Sequence, residues 1–337
     1  MDEYSKALSS YEKALEICQE SLPSNRLDFV STYNNIGSVY DTMCNYSEAL
    51  DLYRNTLQIQ QDLLPSNHRH LIKTYNNIGL AHKHMEEYPR ALDFFQKMLQ
   101  IQENSLSSND PNFAATYINI ASVHYNMNEY SKALLYYKKA IKIYKKSFPK
   151  DHPYLATIYD NIGSLHKDMG EYSKALEYFQ KALEIGEKSF HSNHPDMVSI
   201  YNGMGSVHAK MKQYPEALAF YRKALEIQEK LLSSNDPNLA TTYYSIASTH
   251  YSMEDYPKAL KFFEKTLQIQ QKSLPPNHLD MAAIYYYMGS VHHHMKEDSI
   301  ARSYFERAVE IGQLSLPENH SQLELYRKHL NELQHQL

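Results

Sequence analysis

Tryptophan is absent from this 337-residue chain, cysteine occurs twice, and glycine only nine times. Two thiols, Cys18 and Cys44, cannot staple a small secreted fold, which points to a reducing compartment. The chain opens MDEYSKAL, with no apolar leader, and contains no apolar run of membrane length. A cytoplasmic location is the expectation, and membrane is not expected as a partner. Without a secretion signal, the glycosylation-like triplets Asn45-Tyr46-Ser47 and Asn319-His320-Ser321 read as chance matches. Basic excess is missing too: 34 Lys and Arg stand against 39 Asp and Glu, a formal charge of −5, so nucleic acid is not an expected partner. HExxH, CxxC, a phosphate-cradling glycine loop and G-x-S-x-G are all lacking, and the Gly203-x-Gly205 pair falls inside a helical pattern. No active site is legible and no cofactor is implied, so the chain does not read as an enzyme.

What is present is a repeat. Tyr4, Tyr46, Tyr88, Tyr130, Tyr172, Tyr214 and Tyr256 stand 42 residues apart, and Ala7, Ala49, Ala91, Ala133, Ala175, Ala217, Ala259 and Ala301 keep the same step. A fixed period of roughly 20 to 50 residues signals stacked supersecondary units in place of separate globular domains. In the unit Pro153 to Phe190, Tyr159, Ile162, Gly163 and His166 follow helical spacing. After a break at Gly170-Glu171-Tyr172 the spacing resumes with Ala175, Phe179 and Ala182. Each unit therefore reads as helix, turn, helix.

The order Tyr159, Ile162, Gly163, His166, Ala175, Phe179, Ala182 resembles the tetratricopeptide pattern. The 42-residue step, the linker Ser192 to Asp196 and the paired asparagines in Tyr33 to Gly37 and Tyr75 to Gly79 resemble the kinesin light chain and nephrocystin-like subclass. The resemblance implies an all-α fold, a right-handed α-solenoid of helix-turn-helix repeats.

Residues 1–22 align with the second helix of a unit whose first helix is missing, so a truncated N-terminal repeat in a longer protein is expected. Seven full pairs follow over 27–316, each first helix announced by a cap-and-proline signal such as Asp110-Pro111, His152-Pro153 or Asp236-Pro237. Each second helix opens similarly, with Ser or Pro at Ser47, Pro89, Ser131, Ser173, Pro215, Pro257 and Ser299. Asp298 and Arg302 depart from the repeat pattern, and the polar stretch 321–337 reads as a C-terminal capping helix.

Small residues at Gly37, Gly79, Ala121, Gly163, Gly205, Ala247 and Gly289 mark close helix packing. Met43, Met85, Met127, Met169, Met211, Met253 and Met295 share one register and are expected to fill core. His82, His124, His166, His208, His250 and His292 share another and are expected to be structural packing, the first five buried without acidic partners. At a helix spacing of about 8–10 Å such histidines stand too far apart to share a zinc ion, and metal binding is not expected.

The tetratricopeptide resemblance places a ligand on the first helices. Early units offer Asn34, Asn35, Asn76, Asn77 and Lys83, middle units Tyr125, Asn161, Lys167, Asn202 and Lys210, and late units Tyr244, Tyr251, Tyr286 and Tyr287. Amides can bond both edges of an extended backbone and tyrosines add rigid area, which suits a peptide with an aromatic anchor and acidic flanks. The lysine that a carboxylate clamp for chaperone tails would need at the Asn34 position occurs in no repeat. The function expected is a protein-interaction scaffold or adaptor, and the subclass resemblance adds cargo-peptide binding and association with a kinesin motor. A second reading stays open: a regulatory or targeting arm of a larger enzyme or signalling ATPase whose catalytic domain precedes Met1.

Overall fold

The computed structural model describes residues 6, 9–11, 13, 28–107, 110–189 and 194–334. Most of the expected helix in 1–22 lies outside these residues. Fifteen helices run from Asp28 to Gln334, and no strand occurs among the described residues. The first, or A, helices are Asp28–Thr42, Leu71–His84, Pro111–Asn126, Pro153–Asp168, Pro195–Lys210, Pro237–Ser252 and Leu279–His294. Their B partners are Tyr46–Leu63, Tyr88–Ser105, Tyr130–Ser147, Tyr172–Ser189, Tyr214–Leu231, Tyr256–Ser273 and Asp298–Ser315, with Ser321–Gln334 last. We number the A and B pairs as repeats one to seven. The chain divides into two compact units, Met1–Ile158 and Tyr159–Leu337.

Local chemistry sets the helix ends. Asp110 and Asp236 accept from the N–H groups of Asn112 and Asn238 at 2.9 Å, with proline in the first helical turn. Repeat two lacks the proline and its A helix starts only at Leu71, while the equivalent bond persists as His68 Nδ1 accepting from the His70 N–H at 3.3 Å. The B helices differ from the cap-like opening expected for them, since in repeats one to three and five to seven they have no side-chain cap. Their geometry comes from the preceding turn, where one residue takes a left-handed backbone, among them Glu86 (φ 60°), Lys212 (61°) and Gly170 (75°). The next amide then reaches back over the end of the A helix, as Glu87 N–H does to His82 O at 2.9 Å.

Each core is a row of B-helix aromatics clasped by A helices. In unit 1, Phe95 is fully buried among Leu71, Tyr75, Ile101, Ile120 and Val123. In unit 2, Phe179 and Phe263 occupy the same register, packed with Met197, Met204 and Ile284, Met288 respectively. The small A-helix residue is explained by this ring: a Cβ on Gly79 would stand 2.6 Å from Phe95 Cε1, and one on Gly163 2.8 Å from Phe179. Alanine is accommodated, fully buried, at Ala121 and Ala247. The last helix closes unit 2 by burying Leu323 and Tyr326 against Ala308 and Ile311.

Two features differ from expectation. The methionine register is only partly core: Met127 and Met295 pack, partly buried, against the aromatic clusters of their units, whereas Met85, Met169, Met211 and Met253 are each about 40 % exposed. The position falls on the A-helix C-cap, at the tip of the hairpin beyond the last packed turn. The second feature is a set of buried amides linking repeats. Gln60 accepts from Thr74 Oγ1 (2.8 Å) and donates to His70 O (3.2 Å), and Gln102 repeats this with Thr116 (2.7 Å) and Asn112 O (3.2 Å).

Candidate functional site

The histidine register lies where A helix meets turn. Each ring stacks on a B-helix aromatic, as His82 on Phe94 (5.6 Å between centroids) and His166 on Tyr178 (5.2 Å). Contrary to expectation, acidic partners are present five residues on. Nδ1 donates to Glu87 from His82 at 2.5 Å, and at 2.6 Å from His124 to Glu129, His166 to Glu171 and His292 to Glu297. The reason is geometric: the left-handed turn swings the residue before the B helix back over the ring. Arg90 first and His82 second hold the Glu87 carboxyl below the usual range. Two members differ: His208 meets the neutral Gln213 Oε1 at 2.8 Å, and His250 has Asp255 3.4 Å away but out of hydrogen-bonding line, with burial lowering its pKa. These groups are structural staples. No cluster of three or more His, Cys, Asp or Glu that could hold a metal ion occurs among the described residues.

On the A-helix face of unit 1, the asparagines form a ladder. Asn77 donates to Asn34 Oδ1 (3.3 Å) and Asn119 to Asn76 Oδ1 (2.8 Å), while Asn34 Nδ2 is tied to Val30 O (2.9 Å). Asn34 is buried, so both its edges are used within the array and it does not present an amide to a ligand. Asn35, Asn76, Asn77 and Tyr125 are half-buried, and the Tyr125 ring lies tilted against Tyr130 at 5.9 Å. Lys83, expected to project, is half-buried instead, and desolvation lowers its pKa against the opposing pull of Asp41.

On the A-helix face of unit 2, the four late tyrosines come together. Tyr287 stands at the centre, 6.0 Å from Tyr244, 5.8 Å from Tyr251 and 5.4 Å from Tyr286. Tyr251 is steadied by a 3.2 Å contact with His294 Nε2, and Tyr286 by Tyr326 (5.0 Å) and His329 (5.4 Å) of the last helix. All four remain half-buried, and burial raises the pKa of Tyr244, Tyr251 and Tyr286, so their hydroxyls stay protonated donors at neutral pH. Earlier in the unit, Lys167 pairs with Asp168 at 3.4 Å, Asn161 is half-buried and Lys210 is exposed. Asn202 donates to Thr242 Oγ1 at 2.9 Å and keeps a buried, unpartnered Oδ1.

Sequence reasoning missed Asp160, which occupies the Asn34 register. It is buried, accepts from Ser199 Oγ at 2.7 Å, and leaves its other oxygen unpartnered. Burial pushes its pKa up to about 6. The signal was available, since a carboxylate replaces an amide at a position otherwise inside the array.

A tetratricopeptide-repeat family model matches residues 1–62, 70–146, 196–272 and 244–314, and a second model of that description matches 155–196. None of the curated protein sequences matches at a significant level. Among solved structures, the apo quorum sensor NprR from B. thuringiensis superposes with a TM-score of 0.70 at 16% identity, over 91% of this chain and 83% of that one. BtubC (BKLC) from P. vanneervenii superposes at 0.55 and 20% identity, over 62% of this chain and 84% of its own. The putative kinesin light chain repeats of Podosopora anserina superpose at 0.51 and 18% identity, over 61% and 98%. No described helix is long and apolar enough to cross a membrane. With helix pairs at a constant step and family matches over most of its length, this chain belongs to the tetratricopeptide repeat family.

Proposed function

We propose that the chain is a protein-interaction scaffold that holds an extended peptide on the A-helix face of unit 2. The aromatic group of Tyr244, Tyr251, Tyr286 and Tyr287 carries this reading. Four mutually supported rings offer rigid, partly solvated area with donor hydroxyls, which costs little entropy to bind and suits an aromatic anchor. Exposed Lys210, with Lys167 on the same series of helices, favours acidic residues flanking that anchor. The finer reading, cargo-peptide binding in association with a kinesin motor, draws on the 42-residue unit with its paired asparagines and on the likeness to the kinesin light chain repeats.

The test is a fluorescent library of acidic peptides with one aromatic residue, titrated by anisotropy. Tyr244→Ala with Tyr251→Ala should weaken every hit by roughly thirtyfold or more, since truncated interface aromatics cost about 2 kcal/mol or more. Lys210→Ala should have a mild effect, larger at low salt. Unchanged affinity in a double variant that keeps its circular dichroism would move the ligand off this face. For the motor reading, pull-down of kinesin by wild type and its loss in the same variant is the expected pair of results.

A further inference from the structure

Unit 1 carries a second candidate surface, at the N-terminal ends of its A helices. Two open pockets of about 590 and 390 Å³ meet there and share Arg69, His70 and Lys73 as lining. The remaining polar lining is neutral, namely Ser31, Asn34, Gln60, Asn76 and Asn112, and among the described side chains no acidic one lines either pocket. Asp110, the nearest acid in sequence on the following repeat, is held as the cap on Asn112 N–H at 2.9 Å. Arg69 and Lys73 are exposed, and neither forms an ion pair or side-chain hydrogen bond with any described residue. On the B helices of the same unit, by contrast, Arg90 answers Glu87 (2.8 Å), Lys97 answers Asp93 (2.7 Å) and Lys132 answers Glu129 (2.8 Å).

The cluster is also a departure from the repeat. At the position of Arg69 the other units carry Leu27, Pro111, Pro153, Pro195, Pro237 and Leu279. At that of Lys73 they carry only Ser, Ala or Thr, and at that of His70 they carry Asp, Asn or Tyr. Repeat two thus turns basic at three neighbouring positions of a chain whose net charge is −5, and gives up the proline start to do so. Helix propensity supplies no reason for that exchange, and packing supplies none, because Arg69, His70 and Lys73 are all exposed.

We propose that this pocket pair binds the phosphate monoester of a phosphorylated serine or threonine on a partner peptide. A phosphate brings roughly −1.5 to −2 charges and three acceptor oxygens. Arg69 supplies a planar fork, Lys73 a mobile point charge four residues on, and the amides at Asn76 and Asn112 neutral donors. A carboxylate, with one charge and two oxygens, would leave one of the two cations unanswered. The proposal rests on the scaffold reading only in taking the partner to be a peptide, and it concerns the other unit.

The experiment uses the full chain and three immobilised peptide libraries, degenerate around a fixed phosphoserine, serine or glutamate. Wild type should prefer the phosphoserine library about tenfold or more over the serine one, as expected for charge-assisted bonds. Arg69→Leu with Lys73→Ala, which restores residues found at the same register elsewhere, should abolish that preference with circular dichroism unchanged. Lys210→Ala should leave it intact. Equal retention of phosphoserine and glutamate would overturn the phosphate assignment, and so would a double variant that binds like wild type or a Lys210→Ala loss of the same size. Tyr244→Ala with Tyr251→Ala separates the two readings: loss of aromatic-peptide binding with phosphate preference intact, or the reverse, identifies which surface fails.

Discussion

Three residues before the small packing residue, the A helices of repeats one and two carry Asn34 and Asn76, whereas those of repeats six and seven carry Tyr244 and Tyr286. In unit 1 that position works inward, because an amide is short enough to bond the neighbouring A helix and so ties repeat to repeat. In unit 2 a phenol at the same place is too long for the ladder, and the rings lean on one another and on the last helix while staying partly solvated. The comparison teaches that the array does not depend on this position for its core. Within each unit the B-helix ring under the small residue carries the core, which frees the A-helix face to specialise.

If that is right, the shared core should be equally costly to damage in either unit. Phe95→Ala and Phe263→Ala, each removing a fully buried ring, should each destabilise by about 3–5 kcal/mol. Hydrogen exchange read separately over the two units checks this, and a cost for one ring less than half the other would break the comparison.

The next effect in size belongs to unit 2 alone. Asp160 has a folded pKa of about 6 against an unfolded value near 3.8, so between these values the folded state binds more protons. Its contribution is therefore greatest below about pH 4 and is lost as pH rises through about 6, by up to roughly 3 kcal/mol. Asp160→Asn should be more stable than wild type at pH 7.5 and should lose most of that advantage at pH 4.5. Urea melts at the two pH values decide it, and an advantage that does not shrink on acidification removes the assignment.

The smallest expected effect belongs to unit 1. Asn76→Ala leaves the Asn119 amide without its acceptor and should cost about 1 kcal/mol, whereas Asn161→Ala, with no ladder bond in unit 2, should cost less. Equal costs would mean that the ladder contributes nothing.

Much of the fold was legible because a stacked array repeats its constraints. The constant step put Ala91, Ala175 and Ala259 in one register, and all are fully buried. The site was less legible. Asn34 and Lys83 looked outward on a helical wheel, yet one is buried in the ladder and the other is half-buried beside Asp41. A wheel describes one helix, and these side chains answer to the next helix 42 residues on. The acid five residues after most of these histidines was visible, as Glu87, Glu129 and Glu171, but five residues is not a helical neighbour spacing, so no pairing was inferred.

Periodicity alone thus determined the helix pairs, their turns and the small residue opposite each ring, because these follow from bonds and contacts within one repeating unit. Tertiary structure decided what the A-helix faces offer. Whether an amide is consumed, a lysine desolvated, four tyrosines gathered or Arg69 and Lys73 left unpaired depends on where the adjacent helices place their own side chains, and those differ from repeat to repeat.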